Sequence, residues 1–194
     1  MNPLNERVWL ALRKIARSDD PAVRLTPMLL VGAPGIGKSF WARHLSEFLS
    51  LPVEAIDATS EPASFAITGS QRGWGSAGPG RLVELATRER TANPIMLIDE
   101  IEKAGDVTSM KGLHFTLTEA LLPFLERYTA ASWSCPYFRV AFDMSRVSWI
   151  MTANSVDGLG APFLSRCPPI ALERISLPHL AFFARREGPS PQHV

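Results

Sequence analysis

The stretch Met28-Leu-Leu-Val-Gly-Ala-Pro-Gly-Ile-Gly-Lys-Ser39 limits what this chain can fold into. Four apolar residues, Met28 to Val31, have the length and continuity of a strand buried on both faces. The spacing Gly-x-x-x-x-Gly-Lys-Ser follows. Gly32, Gly37, Lys38 and Ser39 stand at its fixed positions, with Ala33, Pro34, Gly35 and Ile36 between. This is the P-loop, or Walker A, pattern. A helical pattern comes next. Strand, glycine-rich turn and helix in that order aim backbone N–H groups at one point, the positive end of a helix, where phosphate binds. Gly32, Gly35 and Gly37 permit the tight turn and the close approach of backbone to phosphate. Lys38 supplies a mobile cation for the β- and γ-phosphates, and the Ser39 hydroxyl a ligand for Mg²⁺. The loop thus predicts ATP and Mg²⁺ as cofactors.

A second apolar run, Ile95 to Ile98, opens after Pro94 and ends in Asp99-Glu100, a Walker B pattern. Burial of that strand fixes where the two carboxylates emerge, at the carboxyl edge of a parallel sheet. The reading places them on a strand adjacent to the first. Asp99 then holds Mg²⁺ through water, and Glu100 takes a proton from, or orients, the water that attacks the γ-phosphate. A third run, Val147 to Met151, closes on Thr152-Ala-Asn154. Asn154 is read as fixing a water or a γ-phosphate oxygen, or as an ordinary Asx turn.

The remaining segments predict α/β architecture, a parallel sheet sandwiched between helices. Leu4, Val8, Leu12 and Ile15 form the stripe of an amphipathic helix that ends at Asp19-Asp20-Pro21. Phe40, Trp41, Leu45, Phe48 and Leu49 fall on one helical face, read as core. Val53 to Ala58 reads as a short strand and Leu82 to Thr91 as a helix. Between them, residues 59 to 81 are punctuated by Pro62, Gly69, Gly73, Gly75, Gly78, Pro79 and Gly80. Trp74 sits in that run, either pushed forward by its flanking glycines or folded back over the core. Gly112 to Leu125 reads as a helix, with Leu113, Leu117, Leu121 and Leu125 at i+4 steps. Phe138 to Asp143 reads as one arm of a hairpin, and Pro169 to Leu172 as a last apolar stretch. The organisation predicted is an N-terminal helix and linker over 1–24, a nucleotide-binding domain over 25–175, and a short segment with a polar tail over 176–194.

Composition excludes more than it assigns. The chain has 194 residues, 46% hydrophobic and 20% charged, with a formal net charge of +1. That is enough for one sizeable core, and the charge gives no footprint for nucleic acid or an anionic membrane. Cys135 and Cys167 make neither a disulfide framework nor a zinc site, and His44, His114, His179 and His193 show no ligand spacing with them. No apolar run is long enough for a bilayer and no signal-peptide pattern opens the chain, so the expected compartment is cytoplasmic.

Taken in order, these motifs resemble an AAA+ ATPase, and within that group the ATPase module of the Lon protease family. Ile67-x-Gly69-x-x-Arg72-x-Trp74-x-x-Ala77-x-Pro79-Gly80-Arg81 looks like that family's pore-loop segment. Pro94 to Lys103 looks like its Walker B. Phe142-Asp-Met-Ser145 leading into Thr152-Ala-Asn154 resembles its sensor-1 strand, and Pro162-Phe-Leu-Ser-Arg166 its arginine-finger segment. The resemblance covers roughly residues 5 to 172. It implies that Asn154 is sensor 1, that Arg166 reaches the γ-phosphate held by a neighbouring subunit of a ring, and that Trp74 grips a polypeptide in a central pore. It also implies a homo-oligomer or a larger AAA+ partner. Gly75 stands where the family usually has a second, bulkier pore residue. No sensor-2 arginine is assigned, since Arg185 and Arg186 come too early; the family's lid is expected to be missing or truncated, with residues 176–194 read as a truncated lid start and polar tail, and its Ser-Lys protease domain is expected to be absent. The leading expectation is an ATP hydrolase that remodels or threads a protein substrate. The alternatives are an ATP-binding module or regulatory subunit without turnover, and, with less support from the charge, a nucleic-acid-acting ATPase.

Overall fold

A computed structural model of the chain describes residues 3–18, 22–59, 63–72, 77–105, 107–108 and 114–173. In chain order the elements are α1 (Pro3–Ile15), β1 (Met28–Val31), α2 (Lys38–Leu49), β2 (Val53–Asp57), α3 (Ala63–Thr68), α4 (Arg81–Glu89) and β3 (Ile95–Asp99). A 3-10 turn, Ile101–Lys103, follows. Then come β4 (Val107–Thr108), β5 (His114–Phe115), α5 (Leu117–Leu125), α6 (Arg127–Ala130), β6 (Trp133–Ser134), β7 (Ala141–Phe142), β8 (Ser148–Ala153), α7 (Ala161–Arg166) and β9 (Pro169–Ala171).

Five strands form one sheet in the order β2-β3-β8-β1-β9, and every pairing within it is parallel. Parallel strands need both faces covered, which is why these segments read as unbroken apolar runs. Alternate side chains serve opposite faces. Leu29, Met96, Ile98, Trp149 and Met151 pack with Leu82, Leu85, Leu121, Phe124 and Phe163, from α4, α5 and α7. Met28, Leu30, Ile95, Leu97 and Ile150 pack with Leu4 and Val8 of α1 and Ala42 and Leu45 of α2. Phe124 anchors the first layer, its ring 5.0 Å from Trp133 and 5.2 Å from Trp149.

Several expectations need correction. The strand that carries Asp99 is not adjacent to β1; β8 lies between them. Phe40 and Phe48 are not core: they are 65% and 76% exposed. The face that α2 buries is Lys38, Ala42, Leu45 and Ser46. Leu45 is buried, and Trp41 and Leu49 pack partly buried against the same layer, while Phe40 and Phe48 turn to solvent. The helix expected from Gly112 starts at Leu117. Thr116 caps it, its hydroxyl accepting from the Glu119 N–H at 3.1 Å, while His114 and Phe115 pair with β4 instead. The hairpin arm shrinks to Ala141–Phe142, paired with Trp133–Ser134. The punctuated run holds a helix, α3. Trp74, Arg185, Arg186 and residues 176–194 lie outside the described residues. Among the described residues, no helix is long and apolar enough to cross a membrane.

The two flanks of the segment that carries Trp74 close on each other. Gly69 bridges Pro79, and Ser70 N donates to Gly78 O at 3.1 Å. Gly80 lies so close to the preceding helix that a Cβ there would run into the Ile67 carbonyl oxygen, which is backbone and cannot swing aside. Gly80→Ala is therefore expected to destabilise the fold by about 2 kcal/mol. In a chain of this length that lowers the melting temperature by about 6 °C. An unchanged melting temperature would show that the junction relaxes freely.

Candidate functional site

Because the strands run the same way, their carboxyl ends share one edge, and among the described residues every chemistry-bearing residue of the sequence reading except Arg166 collects there. Register sets the spacing: Val31 pairs with Ala153, Ile98 with Met151, and Asp57 with Asp99. Gly32 continues the ladder, its N–H donating to Ala153 O at 3.2 Å. The chain then turns through Ala33-Pro34-Gly35-Ile36 into Gly37, which caps α2 at φ 95°, a conformation that favours glycine. A glycine cap offers no side-chain acceptor to the first N–H groups of the helix. The first turn of α2 also carries no acidic residue, so its partial positive charge is left uncompensated.

Lys38 is the buried cation of the site, 7% exposed. Its ammonium donates to Gly32 O at 2.7 Å, Ala33 O at 3.1 Å and Asn154 Oδ1 at 3.0 Å, which uses all three of its donors. Ser39 Oγ donates to Asp99 Oδ1 at 2.6 Å, across the intervening β8. The same oxygen accepts from Thr152 Oγ1 at 2.6 Å. Thr152 Oγ1 in turn accepts the Glu100 N–H at 3.1 Å, which satisfies a backbone donor where β3 stops.

Glu100 itself sits in the left-handed region, at φ 54°. Its carboxylate is engaged on both oxygens: Oε2 with Lys103 Nζ at 2.9 Å and Oε1 with Asn154 Nδ2 at 3.3 Å. The Lys103 hydrogen bond, then that of Asn154, holds the Glu100 carboxyl below the usual carboxylate range, and Lys103 is raised in turn. Asp57, at the end of β2, is also lowered, by the hydroxyl and N–H of Thr59.

These groups enclose a cavity of about 530 Å³, with Pro34, Gly35, Gly37, Lys38 and Ser39 on one wall and Asp99, Glu100, Thr152 and Asn154 on the other. Arg166 does not line it. Its guanidinium pairs with Glu126 at 2.6 Å and donates to Pro162 O at 3.0 Å. Two residues of the site were missed in the sequence. Thr152 had a signal, a hydroxyl ending an apolar run. Glu102 had none, because only the turn after Glu100 brings it to Asn154, whose backbone N–H and Nδ2 it accepts at 2.9 and 2.8 Å.

The donor set suits a triphosphate with Mg²⁺. Uncapped helix N–H groups and a buried ammonium face one side of the cavity. A hydroxyl and a carboxylate 2.6 Å apart face the other, a pairing of hard oxygen ligands.

A parallel sheet whose first strand feeds such a loop defines a P-loop nucleotide-binding domain. Residues 28–173 match the family described as ATPase family associated with various cellular activities (AAA), and the chain belongs to that family. It is 32% identical over 159 residues to Lon protease 1 of Syntrophotalea carbinolica, a match covering 82% of this chain and 19% of that protein. To the Lon protease of Aquifex aeolicus it is 29% identical over 178 residues, covering 92% and 22%. To the mitochondrial Lon protease homolog of Candida glabrata it is 32% identical over 174 residues, covering 89% and 16%. The chain therefore spans about a fifth of the length of these relatives.

Proposed function

We propose that the chain binds ATP and hydrolyses it, and that turnover is coupled to remodelling or threading a protein substrate. The observation that carries the reading is the convergence of Lys38, Ser39, Asp99, Glu100 and Asn154 on one cavity, from three separate parts of the chain. Lys38 turns from the loop carbonyls to the β- and γ-phosphate oxygens. Ser39 and Asp99 would hold Mg²⁺, which when bound neutralises charge on those oxygens. Glu100 releases Lys103 and accepts a proton from the water that attacks the γ-phosphorus; the new P–O bond forms as the bond to the β–γ bridging oxygen breaks, giving phosphate and ADP. Asn154 keeps the water or the terminal phosphate in line. Burial of Lys38 strengthens each of these contacts relative to water.

Arg166 fits a role in trans. It stands apart from its own chain's cavity, at the end of the short helix α7, and the ion pair with Glu126 is partly exposed and cheap to exchange. A homo-oligomer, or a larger AAA+ partner, would present Arg166 to the next subunit's triphosphate. Turnover per chain is then expected to rise with protein concentration, and Arg166→Ala to flatten that rise while leaving the affinity for ATP within about threefold of the unaltered chain. A rate per chain independent of concentration, in a protein that stays monomeric with ATP and Mg²⁺, would remove the trans role.

A binding module without turnover is the second reading. The contact of Glu100 with Lys103 favours it, because it occupies the proton acceptor. Calorimetry with ATP, followed by phosphate assay across concentrations, separates the two: binding with no phosphate released supports the second. The threading role rests on Trp74 and on the closing of the flanks of its segment at Gly69 and Pro79.

A further inference from the structure

Asn154 is gripped on three sides, and the grip decides which way its amide faces. Lys38 is donor only and the carboxylates of Glu100 and Glu102 acceptor only. Oδ1 therefore faces Lys38, and Nδ2 faces the acids. The two amide N–H groups are not held equally. One meets Glu102 Oε1 at 2.8 Å; the other meets Glu100 Oε1 at 3.3 Å, a long contact. The same Glu102 oxygen takes the Asn154 backbone N–H at 2.9 Å. One carboxylate oxygen thus clamps both the main chain and the side chain of Asn154.

The fold goes to some length to place that oxygen. Glu100, in the left-handed region, ends β3 and starts the 3-10 turn. Ile101, 2% exposed, plugs the core, and the next side chain, Glu102, crosses to the end of β8. Its other oxygen, Oε2, is buried and has no hydrogen-bond partner among the described residues. A buried, half-satisfied carboxylate destabilises a fold, whereas the same residue turned to water would cost nothing.

We propose that Glu102 is the positioning residue of Asn154. It fixes the amide so that one N–H is spent on Glu102 and the second is left at the cavity edge beside Glu100, where the attacking water or a terminal phosphate oxygen takes it. Only the kinetic consequence rests on the hydrolysis proposed above; the orientation does not.

The test uses the full chain with Glu102→Ala, Glu102→Gln, Asn154→Ala and the double variant Glu102→Ala/Asn154→Ala. Glu102→Ala is expected to lower kcat about 30-fold, the scale of a misplaced positioning group, with the Kd for ATP within about threefold. Glutamine keeps a carbonyl acceptor, so Glu102→Gln should hold kcat within about threefold of the unaltered chain. In the Asn154→Ala background, Glu102→Ala should cost less than about twofold more, because its target is gone. A readout independent of turnover is the Asn154 side-chain amide in the NMR spectrum of the nucleotide-free protein. It should be dispersed and slow to exchange in the unaltered chain and Glu102→Gln, and solvent-like in Glu102→Ala. Losses that multiply in the double variant, or an amide signal untouched by Glu102→Ala, would overturn the proposal. If Glu102→Ala does not fold, Glu102→Gln decides: a solvent-like amide with kcat retained overturns it, and a protected amide with kcat retained supports it. If the unaltered chain releases no phosphate, the hydrolysis reading fails and the amide signal still settles the positioning role.

Discussion

Glu100→Gln is expected to stop phosphate release and leave ATP bound. A positioned general base contributes about 10²–10⁴-fold, so a loss near 10³-fold, about 4 kcal/mol of barrier, is the expected size. Binding should hold within about threefold, because the contacts that seat the triphosphate come from the loop, Lys38 and Ser39, and none from Glu100. The fold should hold too. The Glu100 side chain is 37% exposed, and a glutamine carbonyl still accepts from Asn154 Nδ2. What is lost is the basic oxygen and the ion pair with Lys103. The lowered carboxyl of Glu100 adds a pH signature. A depressed value means that the ionised form survives as pH falls and is lost only below the usual carboxylate range. In the nucleotide-free chain, where Lys103 still holds it, the Glu100 carboxylate should therefore stay ionised through weakly acidic solution, which its side-chain carboxyl signal in an NMR titration checks. If phosphate release by Glu100→Gln equals that of the unaltered chain, Glu100 has no part in proton transfer.

The same residue shows where sequence reasoning reaches and where it stops. Met28–Val31, Ile95–Asp99 and Ser148–Ala153 were legible as strands because both faces of a parallel sheet are covered, and an unbroken apolar run has few other homes. The chemistry at their ends followed, since a parallel strand always delivers its last residue to the same edge. The order of the strands was not legible. Nothing in the period of Ser148–Ala153 says that it inserts between β1 and β3, yet that insertion sets Thr152 against the Asp99 oxygen that Ser39 also reaches, and Asn154 beside Lys38. Glu102 was hidden for a related reason. In sequence it is one more acid after Asp99-Glu100, and only the left-handed turn at Glu100 carries it to Asn154. The exposed rings of α2 were misread because apolar residues outnumber the places where a helix lies tight on a sheet; Ala42 and Ser46 fit there, and Phe40 and Phe48 do not. For α5 the signal was present but overruled. Thr116 and Glu119 have capping-box spacing, and the leucine stripe was read straight through them.

Lys38→Ala is expected to abolish useful ATP binding. Lys38 is 7% exposed, and removing one partner of a desolvated charge pair costs about 2–5 kcal/mol; about 3 kcal/mol is a Kd roughly 100-fold weaker. The loss should fall on ATP and ADP more than on adenosine, because the charge sits where the β- and γ-phosphates would lie. Without nucleotide the variant should melt close to the unaltered chain: alanine frees the carbonyls of Gly32 and Ala33 and Asn154 Oδ1, but it also removes a cation held away from water, and the two effects oppose each other. What disappears is the rise in melting temperature on adding ATP, which mass action ties to affinity. Lys38→Arg sharpens the point. It keeps the charge but replaces a compact ammonium with a planar fork, and three acceptors converging at 2.7 to 3.1 Å suit the ammonium alone. Arginine is therefore expected to rescue little. ATP bound by Lys38→Ala as tightly as by the unaltered chain would mean that the triphosphate lies elsewhere, and the roles given to Ser39, Asp99, Glu100 and Asn154 would go with it.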